Sequence, residues 1–477
     1  MHHVVGPAST PGVHAPLDDA PAASFIGAIR DSLPELRLLT DEVDRESHRR
    51  DETAYLETGL PLAVALPTTT EEVATLVRLC AAHGVPIVPR GAGTGLSGGA
   101  AGIEGALTIA FTRMDRILEI DHANLTVTTQ PGIVNAALKA RVAEEGLFYA
   151  PDPASYEMCT IGGNLGTNAG GLCCVKYGVT RDAVLGLEVV LADGTVLRLG
   201  GKNVKDVAGY GLIPLLVGSQ GTLALVTEAT LRLRPAPPPR ATLIAFFATL
   251  EAAGEAVAGI TAAGVQPVTL ELMDQVTIQA VDDARGLGLD RDAAAMLLVE
   301  SDLPGDAGTD ELARVIPICE AAGATLVIQA EDAQEADWLR AGRRFAFRAL
   351  EAKGIARMED VGVPRSRIPE MLREIEAIAA RHAIVVGTFG HAGDGNLHPT
   401  FVLDRDDADG EHRLHEAQRD LFEAAISMGG TVTGEHGIGV ARKAWLVRQR
   451  GEDAVRVMRS IKAALDPQGL LNPGKVL

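Results

Sequence analysis

Residues 89–100 read Pro-Arg-Gly-Ala-Gly-Thr-Gly-Leu-Ser-Gly-Gly-Ala and follow a short apolar segment that predicts a strand. Their glycines match the Gly-x-Gly-x-x-Gly pattern of a Rossmann dinucleotide site. In that fold the loop must open a helix, and the crossover to the next parallel strand needs a dozen or more residues. Here the next predicted strand begins at Leu107, after an interval crowded with glycine. No helix fits, so the sequence predicts a different nucleotide-binding fold.

The same loop presents a run of backbone N–H groups that few side chains obstruct, which is the character of an anion site. Arg90 adds a fixed positive charge, and Thr94 and Ser97 add hydroxyl donors. A pyrophosphate is the natural ligand of such a loop. A purely structural glycine loop is the alternative, but so many glycines cost conformational entropy without any return in packing.

Two further glycine-rich segments follow, at residues 160–171 and 218–222. In the first of them Asn164 and Asn168 offer amide groups that could bind a flat heterocycle or its side chain. Three such segments in one half of the chain suit a large, extended cofactor better than a single nucleotide.

Composition limits the possible partners. The chain has 477 residues and a net charge of −20, which argues against nucleic acid and anionic membrane surfaces but not against a small anionic substrate. Its five cysteines show no Cys-x-x-Cys spacing, as expected in a reducing compartment. No signal-peptide pattern and no apolar run of about 20 residues is seen. These features predict a cytoplasmic protein, docked at a membrane only through a partner.

The chain divides into three predicted segments. Residues 1–57 form an N-terminal mobile and helical segment, with mobility expected at 1–20 and a helix at 22–32. Residues 58–236 form a first domain and residues 237–477 a second, because the stiff Arg-Pro-Ala-Pro-Pro-Pro-Arg at 234–240 reads as a linker. Strands are predicted at 62–66, 87–88, 107–111, 125–129, 185–191, 196–199, 223–227, 242–247, 268–272, 295–300 and 325–329, and helices at 250–263, 308–322, 332–353, 367–380, 414–428 and 452–465.

Two C-terminal motifs point to an enzyme site. Residues 389–398 read Phe-Gly-His-Ala-Gly-Asp-Gly-Asn-Leu-His, and residues 434–437 read Gly-Glu-His-Gly. The first predicts a β-hairpin that turns between Asp394 and Gly395, which would set His391 directly opposite His398 with Cβ atoms roughly 5 Å apart. Two imidazoles and the carboxylate of Glu435 suit a divalent metal, and a further histidine suits proton abstraction. The alternative is a surface hairpin that merely carries two histidines.

Taken in order, residues 90–100, 160–171, 218–233, 390–399, 434–439 and 471–475 resemble the FAD-linked D-2-hydroxy-acid dehydrogenases. That family includes D-lactate dehydrogenases, glycolate oxidase FAD subunits and D-2-hydroxyglutarate dehydrogenases. The resemblance spans about residues 40–477. It implies an α+β fold with a PCMH-type, vanillyl-alcohol-oxidase-like FAD-binding domain and a C-terminal α+β cap domain with an antiparallel sheet.

The resemblance also implies the cofactors and their residues. FAD is expected to be non-covalent, because residues 89–100 contain no histidine that could attach it. Its implied binding residues are Arg90, Gly91, Gly93, Thr94, Gly95, Ser97, Thr160, Gly163, Asn168, Gly170, Gly221 and Asn472. A divalent metal, zinc first and manganese or iron as alternatives, is assigned to His391, His398 and Glu435.

The implied chemistry is oxidation of a 2-hydroxy acid to a 2-oxo acid. His436 corresponds to the catalytic base and Arg343 to the arginine that binds the substrate carboxylate, although neighbouring arginines on the same predicted helix compete for that role. The metal would lower the pKa of the substrate hydroxyl, and hydride would pass to the flavin. A cytochrome, a quinone or an electron-transfer protein is the expected acceptor.

Two departures from the hydroxyglutarate type bear on the substrate. Met358 stands where that group has a lysine for the second carboxylate, and Thr400 stands where it has an asparagine. Both changes predict a small monocarboxylate, D-lactate foremost. Two alternatives stay open: a glycolate oxidase FAD subunit working with an iron–sulfur subunit, and an FAD oxidase of another class. A homodimer is also possible.

Overall fold

The computed structural model describes residues 18–53 and 55–477. The mobility predicted for residues 1–20 therefore lies, except for the last three, outside the described residues. Among the described residues no helix combines the length and the apolar character needed to cross a bilayer.

The first unit contains two sheets and a small two-stranded ribbon. The strands of the two sheets are β1 (Arg37–Leu39), β2 (Ala63–Leu66), β3 (Ile87–Arg90), β4 (Leu107–Ala110), β5 (Ile117–Asp121), β6 (Thr126–Thr129), β8 (Val184–Val190), β9 (Val196–Gly200) and β10 (Leu225–Arg232). The ribbon pairs β7 (Leu147–Phe148) with β11 (Arg234–Pro235). Its helices are α1 (Asp19–Ser32), α2 (Glu42–Ser47), α3 (Thr70–His83), α4 (Asn135–Ala143), α5 (Ile161–Thr167), α6 (Cys174–Tyr177), α7 (Thr180–Ala183) and α8 (Leu212–Leu216).

The sheet that carries the first glycine-rich loop is four-stranded, in the order β1-β2-β4-β3. Strands β3 and β4 are parallel neighbours, and the chain between them forms no helix, as the sequence predicts. The other sheet is five-stranded and antiparallel, in the order β5-β6-β10-β8-β9. Helix α3 packs on the first sheet. It begins at a capping box formed by Thr69 and Glu72 and ends at Gly84, in the left-handed region at φ 67°.

The second unit is an antiparallel sheet between two layers of helices. Its strands are β12 (Ala241–Phe247), β13 (Thr269–Asp274), β14 (Ala295–Ser301), β15 (Ala324–Gln329), β16 (Ile355–Met358), β17 (Val361–Gly362), β18 (Val385–His391) and β19 (Asn396–Leu403). Its helices are α9 (Leu250–Ala262), α10 (Gln275–Arg285), α11 (Asp306–Ala321), α12 (Ala333–Arg344), α13 (Ala346–Glu351), α14 (Ile368–His382), α15 (Gly410–Ser427) and α16 (Lys443–Arg450). The last helix, α17 (Glu452–Leu465), packs on the first unit through Ile461 and Leu465.

The eight-stranded sheet runs in the order β15-β12-β14-β13-β18-β19-β16, with β17 also paired to β19. Apolar side chains of α9, α11, α14 and α15 cover one face, and those of α10 and α13 cover the other. The predicted helix over 332–353 is two helices, because the chain bends at Phe345, whose N–H is shared between the carbonyls of Ala341 and Gly342. The predicted α+β class is confirmed.

The C-terminus returns to the first unit. Leu471 forms a parallel bridge to Ile87, beside the edge of β3, and is fully buried in the core of the first sheet. The last residues of the chain therefore pack behind the first glycine-rich loop, although the two segments are far apart in sequence.

Candidate active site

A cleft lies between the two units, and its walls bring most of the predicted site residues together. The first unit contributes Arg90, Gly91, Gly93, Thr94, Gly95, Ser97, Thr160, Gly163, Gly170 and Gly221, and the second contributes Arg343, His391, His398, Glu435 and His436. The glycine-rich segments therefore face the C-terminal motifs across one space.

Two glycines show how tightly the walls fit. A Cβ atom at Gly91 would overlap the hydroxyl of Thr160, which caps α5 by accepting from Gly163 N. A Cβ atom at Gly170 would overlap the carboxylate of Glu435. The second glycine-rich segment thus touches the histidine–carboxylate cluster directly. A flavin lying along that segment would sit beside the cluster.

Arg90 and Ser97 hold the first loop in shape. The Arg90 guanidinium donates to the carbonyls of Arg50 (2.8 Å) and Ala100 (3.2 Å), and burial lowers its pKa. The Ser97 hydroxyl donates to the His436 carbonyl (3.0 Å) and accepts from the Gln220 amide (2.9 Å). Ser97 thereby ties the glycine loop to the segment that carries His436. Donors for a pyrophosphate are left mainly to the loop backbone and Thr94.

Two predicted cofactor residues do not line the cleft. Asn168 takes a left-handed conformation at the end of α5, and its side chain accepts from the Arg181 N–H (2.9 Å). Asn472 lies behind the loop and donates to the carbonyls of Gly99 (2.9 Å) and Gln220 (2.7 Å). Both residues support the wall from outside. Asn164 does line the cleft, but its amide group is bonded to Asn135 and Cys159.

The histidine hairpin forms, but the predicted pairing is wrong. His391 pairs with Asn396 and His398 pairs with Phe389, so the two histidines are diagonal neighbours rather than direct partners. The chain makes a 3₁₀ turn at Ala392–Asp394 and reverses with Gly395 in the left-handed region, which gives a four-residue loop in place of the expected two-residue turn. Diagonal positions share one face of the sheet, so the rings still meet, with centroids 5.3 Å apart.

The ligand atoms have the spacing of a metal site. Glu435 Oε1 lies 3.4 Å from His391 Nε2 and 3.3 Å from His398 Nε2, and the three ligand atoms lie within 4.8 Å of one another. Bonds of about 2.0–2.1 Å in a tetrahedral zinc site place neighbouring ligand atoms about 3.3 Å apart. The two spacings between the carboxylate and the imidazoles match that value, so the donor set suits a divalent ion. His436 Nε2 stands slightly further away, 3.8 Å from the same oxygen.

The charges in this cluster are strongly perturbed. Burial opposes charge on His391, but Glu271 and Glu435 outweigh it and raise the pKa of His391 well above its usual value. Burial would also raise the pKa of Glu435, yet His391 and His398 hold it well below its usual value. Without a metal, the two carboxylates favour a proton on His391. A metal cation would take the place of that proton. Burial lowers the pKa of His436 to about 4, so its ring is neutral at pH 7.

Asp360 positions this cluster, a role that the sequence motifs did not predict. It is fully buried, and one of its oxygens accepts from Glu435 N (3.0 Å), His436 N (2.8 Å) and the Thr433 hydroxyl (2.7 Å). Its other oxygen accepts from the Asn396 amide (2.8 Å), next to the histidine hairpin. These contacts span 36 to 76 positions of sequence, which local patterns do not reveal. The proximity of Asp360 to Met358 was the only signal available.

Arg343 enters the same cleft from α12. It is 4% exposed, its Nη2 lies 2.6 Å from Glu271 Oε2, and its guanidinium stacks 4.8 Å from the centroid of Phe389. Its Nε has no hydrogen-bond partner in the described part of the chain. The competing arginines are committed elsewhere: Arg340 pairs with Glu300 and Arg344 with Asp152. Arg344 also lines the cleft and also has an Nε without a hydrogen-bond partner in the described part of the chain, but Arg343 is the arginine paired with Glu271, beside His391.

Comparison with known proteins identifies the family of the chain. The C-terminal domain of the FAD-linked oxidases matches residues 236–476, and an FAD-binding domain matches residues 61–200. Glycolate oxidase subunit GlcD of Bacillus subtilis is 46% identical over 419 residues, which cover 88% of this chain and 89% of that protein. A D-lactate dehydrogenase of Anaerostipes hadrus is 34% identical, covering 95% of this chain and 97% of its own.

The fold has solved counterparts of much lower identity. The structure of p-cresol methylhydroxylase with substrate bound aligns with a TM-score of 0.79 at 16% identity, covering 96% of this chain and 97% of that one. This likeness establishes a PCMH-type fold and nothing about the reaction. The resemblance seen in the sequence motifs is confirmed. The chain belongs to the FAD-linked oxidases and is an FAD-dependent oxidoreductase of the glycolate oxidase GlcD and D-lactate dehydrogenase type.

Proposed function

We propose that this protein oxidises a small D-2-hydroxy acid, D-lactate first, to the 2-oxo acid with a divalent metal as second cofactor. One observation carries the proposal. The His391–His398–Glu435 cluster and the neutral His436 face the same cleft as the glycine-rich segments, and Gly170 touches Glu435. A substrate beside the flavin would therefore also lie beside the cluster.

Each side chain has a role that its surroundings support. Arg343 lines the cleft and binds the substrate carboxylate through its guanidinium N–H groups, with Phe389 holding the guanidinium plane. His436 takes the hydroxyl proton at Nε2, the ring nitrogen on the side of Glu435. Asp360 holds the segment that carries His436 and faces its other nitrogen at 3.9 Å.

The two cofactors supply the remaining chemistry. His391, His398 and Glu435 would hold a zinc ion, or manganese or iron, which lowers the pKa of a coordinated hydroxyl. The flavin accepts the two electrons. The protein's contribution is to align the substrate's C2 with the flavin while its hydroxyl points at the histidines.

The cleft favours a monocarboxylate with a small apolar group. Met358 lines it and pairs across the ladder with Thr400, so the two departures from the hydroxyglutarate type are neighbours on adjacent strands. Neither side chain can bind a second carboxylate as a cation would. Met358 and Phe389 offer apolar surface for the methyl group of lactate, which glycolate lacks.

The test is an anaerobic flavin-bleaching screen with D-lactate, L-lactate, glycolate and D-2-hydroxyglutarate, each with and without a chelator. D-Lactate is expected to bleach the flavin fastest, and removal of the metal should slow bleaching while leaving the flavin bound. Bleaching that is unaffected by thorough metal removal would contradict the metal-assisted mechanism. Fastest bleaching by D-2-hydroxyglutarate would contradict the monocarboxylate assignment.

A second candidate rests on the similarity to a glycolate oxidase subunit at 46% identity. In that case the chain works on glycolate within a complex, and an iron–sulfur subunit is the partner we propose for the electrons. Co-purification from the native host distinguishes this case from a self-sufficient dehydrogenase that passes electrons to a cytochrome, a quinone or an electron-transfer protein. The five cysteines are unpaired, which supports a cytoplasmic location, with membrane docking only through a partner.

A further inference from the structure

A carboxylate that the sequence motifs do not include lies at the centre of the site. Glu271 sits on β13, a central strand of the sheet, and is 1% exposed between the apolar Leu270 and Leu272. Burying a charged side chain there is costly unless specific partners compensate. Glu271 does not line the cleft, so contact with substrate does not explain it.

The two oxygens of Glu271 contact two different residues of the proposed site. Oε1 lies 2.8 Å from His391 Nδ1, and Oε2 lies 2.6 Å from Arg343 Nη2. The sheet sets the first contact, because Leu272 pairs with Gly390 and the next position along brings Glu271 opposite His391. Helix α12 brings the second partner from outside the sheet.

We propose that Glu271 is a positioning residue that joins the metal ligand His391 to the substrate arginine Arg343; this inference rests on the proposed function. By accepting from Nδ1–H, the carboxylate fixes the tautomer in which His391 Nε2 carries a free lone pair toward Glu435. With its second oxygen it anchors the buried Arg343 guanidinium at the wall of the cleft. One side chain thus sets the distance between the metal and the substrate carboxylate.

The chemistry of the substituted side chain provides the test. Glutamine is nearly isosteric with glutamate but has one acceptor oxygen, so Glu271→Gln can satisfy His391 or Arg343 but not both. If the amide nitrogen faces His391, the tautomer is reversed and affinity for Zn²⁺ falls about 10- to 100-fold. If it faces Arg343, the KM of the hydroxy acid that bleaches the flavin fastest rises instead. Glu271→Leu removes both acceptors and should impair both quantities.

Glu300→Gln is the matched control. Glu300 is fully buried on the neighbouring strand β14 and is paired with Arg240 and Arg340, but it lies outside the cleft. Its loss should lower stability and leave Zn²⁺ affinity and KM unchanged.

The measurements are Zn²⁺ affinity in chelator-buffered solutions and steady-state kinetics, on variants that retain FAD. A Glu271→Gln protein with FAD bound, unchanged Zn²⁺ affinity and unchanged KM would overturn the proposal. A wild-type protein that binds no Zn²⁺ would instead overturn the metal part of the proposed function and the His391 half of this inference, while the KM would still test the Arg343 half.

Discussion

At the scale of single residues, the site is a set of buried groups whose charges depend on one another. His436 is 9% exposed and stacks on His398 with ring centroids 5.1 Å apart. Burial keeps it neutral at pH 7, and a neutral imidazole can accept a proton. Its backbone N–H is held by Asp360 and its carbonyl by Ser97. The position of the ring is therefore fixed from both units.

Replacing His436 by alanine should abolish base catalysis and leave the flavin bound. We expect the rate of anaerobic flavin reduction by D-lactate to fall about 10²- to 10⁴-fold, the usual range for a lost general base. Stopped-flow absorbance measures the rate, and the oxidised flavin spectrum checks occupancy. His122→Ala is the control, since that side chain is 57% exposed and pairs with Glu145 on the surface. Wild-type reduction rates in His436→Ala would exclude His436 as the base.

Sequence patterns located the chemistry of the site better than its geometry. The histidines, Glu435 and Arg343 could be proposed from residue type and motif, and the structure gathers them in one cleft. The hairpin pairing could not be predicted, because Asp394-Gly395 is equally compatible with a two-residue and a longer turn. The roles of Asp360 and Glu271 depend on contacts between distant strands and are not visible in local sequence.

At the scale of secondary structure, α12 is the element that positions Arg343, the arginine proposed to bind the substrate carboxylate. Arg343 and Arg344 follow Arg340 by three and four residues, so all three lie on one side of this helix. Each is paired with a different acid, on β14, on β13 and in the first unit respectively. The ion pairs of Arg340 and Arg344 hold the helix in place, and Arg343 and Arg344 line the cleft.

The Arg343→Lys variant should separate the effect of this arginine on substrate binding from its effect on folding. Lysine keeps the charge but loses the planar fork that binds a carboxylate with two donors. Loss of a charge-assisted bond of about 1.5–3 kcal/mol corresponds to a KM for D-lactate that is roughly 10- to 100-fold higher. Arg340→Lys, on the same helix face, should lower the unfolding midpoint and leave KM unchanged. Equal effects of the two variants on KM would show that Arg343 acts only through the helix.

Elements with strong hydrophobic patterns were predicted well, and elements held by tertiary contacts were not. The buried strands β12 and β14, the edge strand β15 and the helices α9, α14 and α17 lie close to their predicted positions. Helix α5 was not predicted, because three of its seven residues, Ile161–Thr167, are glycine, a poor helix former. It is held by the Thr160 cap and by the burial of Ile161 and Leu165.

At the scale of the whole molecule, the C-terminal segment closes the first unit. Asn472 and Lys475 bond to the carbonyls at the end of the first glycine-rich loop. The linker at residues 234–240 was the only sequence feature used to predict the boundary between the two domains. It could not show that the chain's last residues return across the linker, because that contact depends on the assembled units rather than on any local pattern.

Lys475 makes this closure sensitive to pH. It is 4% exposed and donates to the carbonyls of Gly99 and Ala101, and burial lowers its pKa to about 7. A neutral amine still donates to both carbonyls. The unfolded chain holds the lysine proton to about pH 10.4, so above pH 7 unfolding takes up a proton. The unfolding free energy of the wild type relative to Lys475→Met should therefore rise with pH from 7 to 9, by about 1.4 kcal/mol per pH unit. Urea unfolding at several pH values measures this difference. Lys205→Met, at an exposed position, should show no such trend. A difference between wild type and Lys475→Met that does not change with pH would mean that the buried amine keeps its proton.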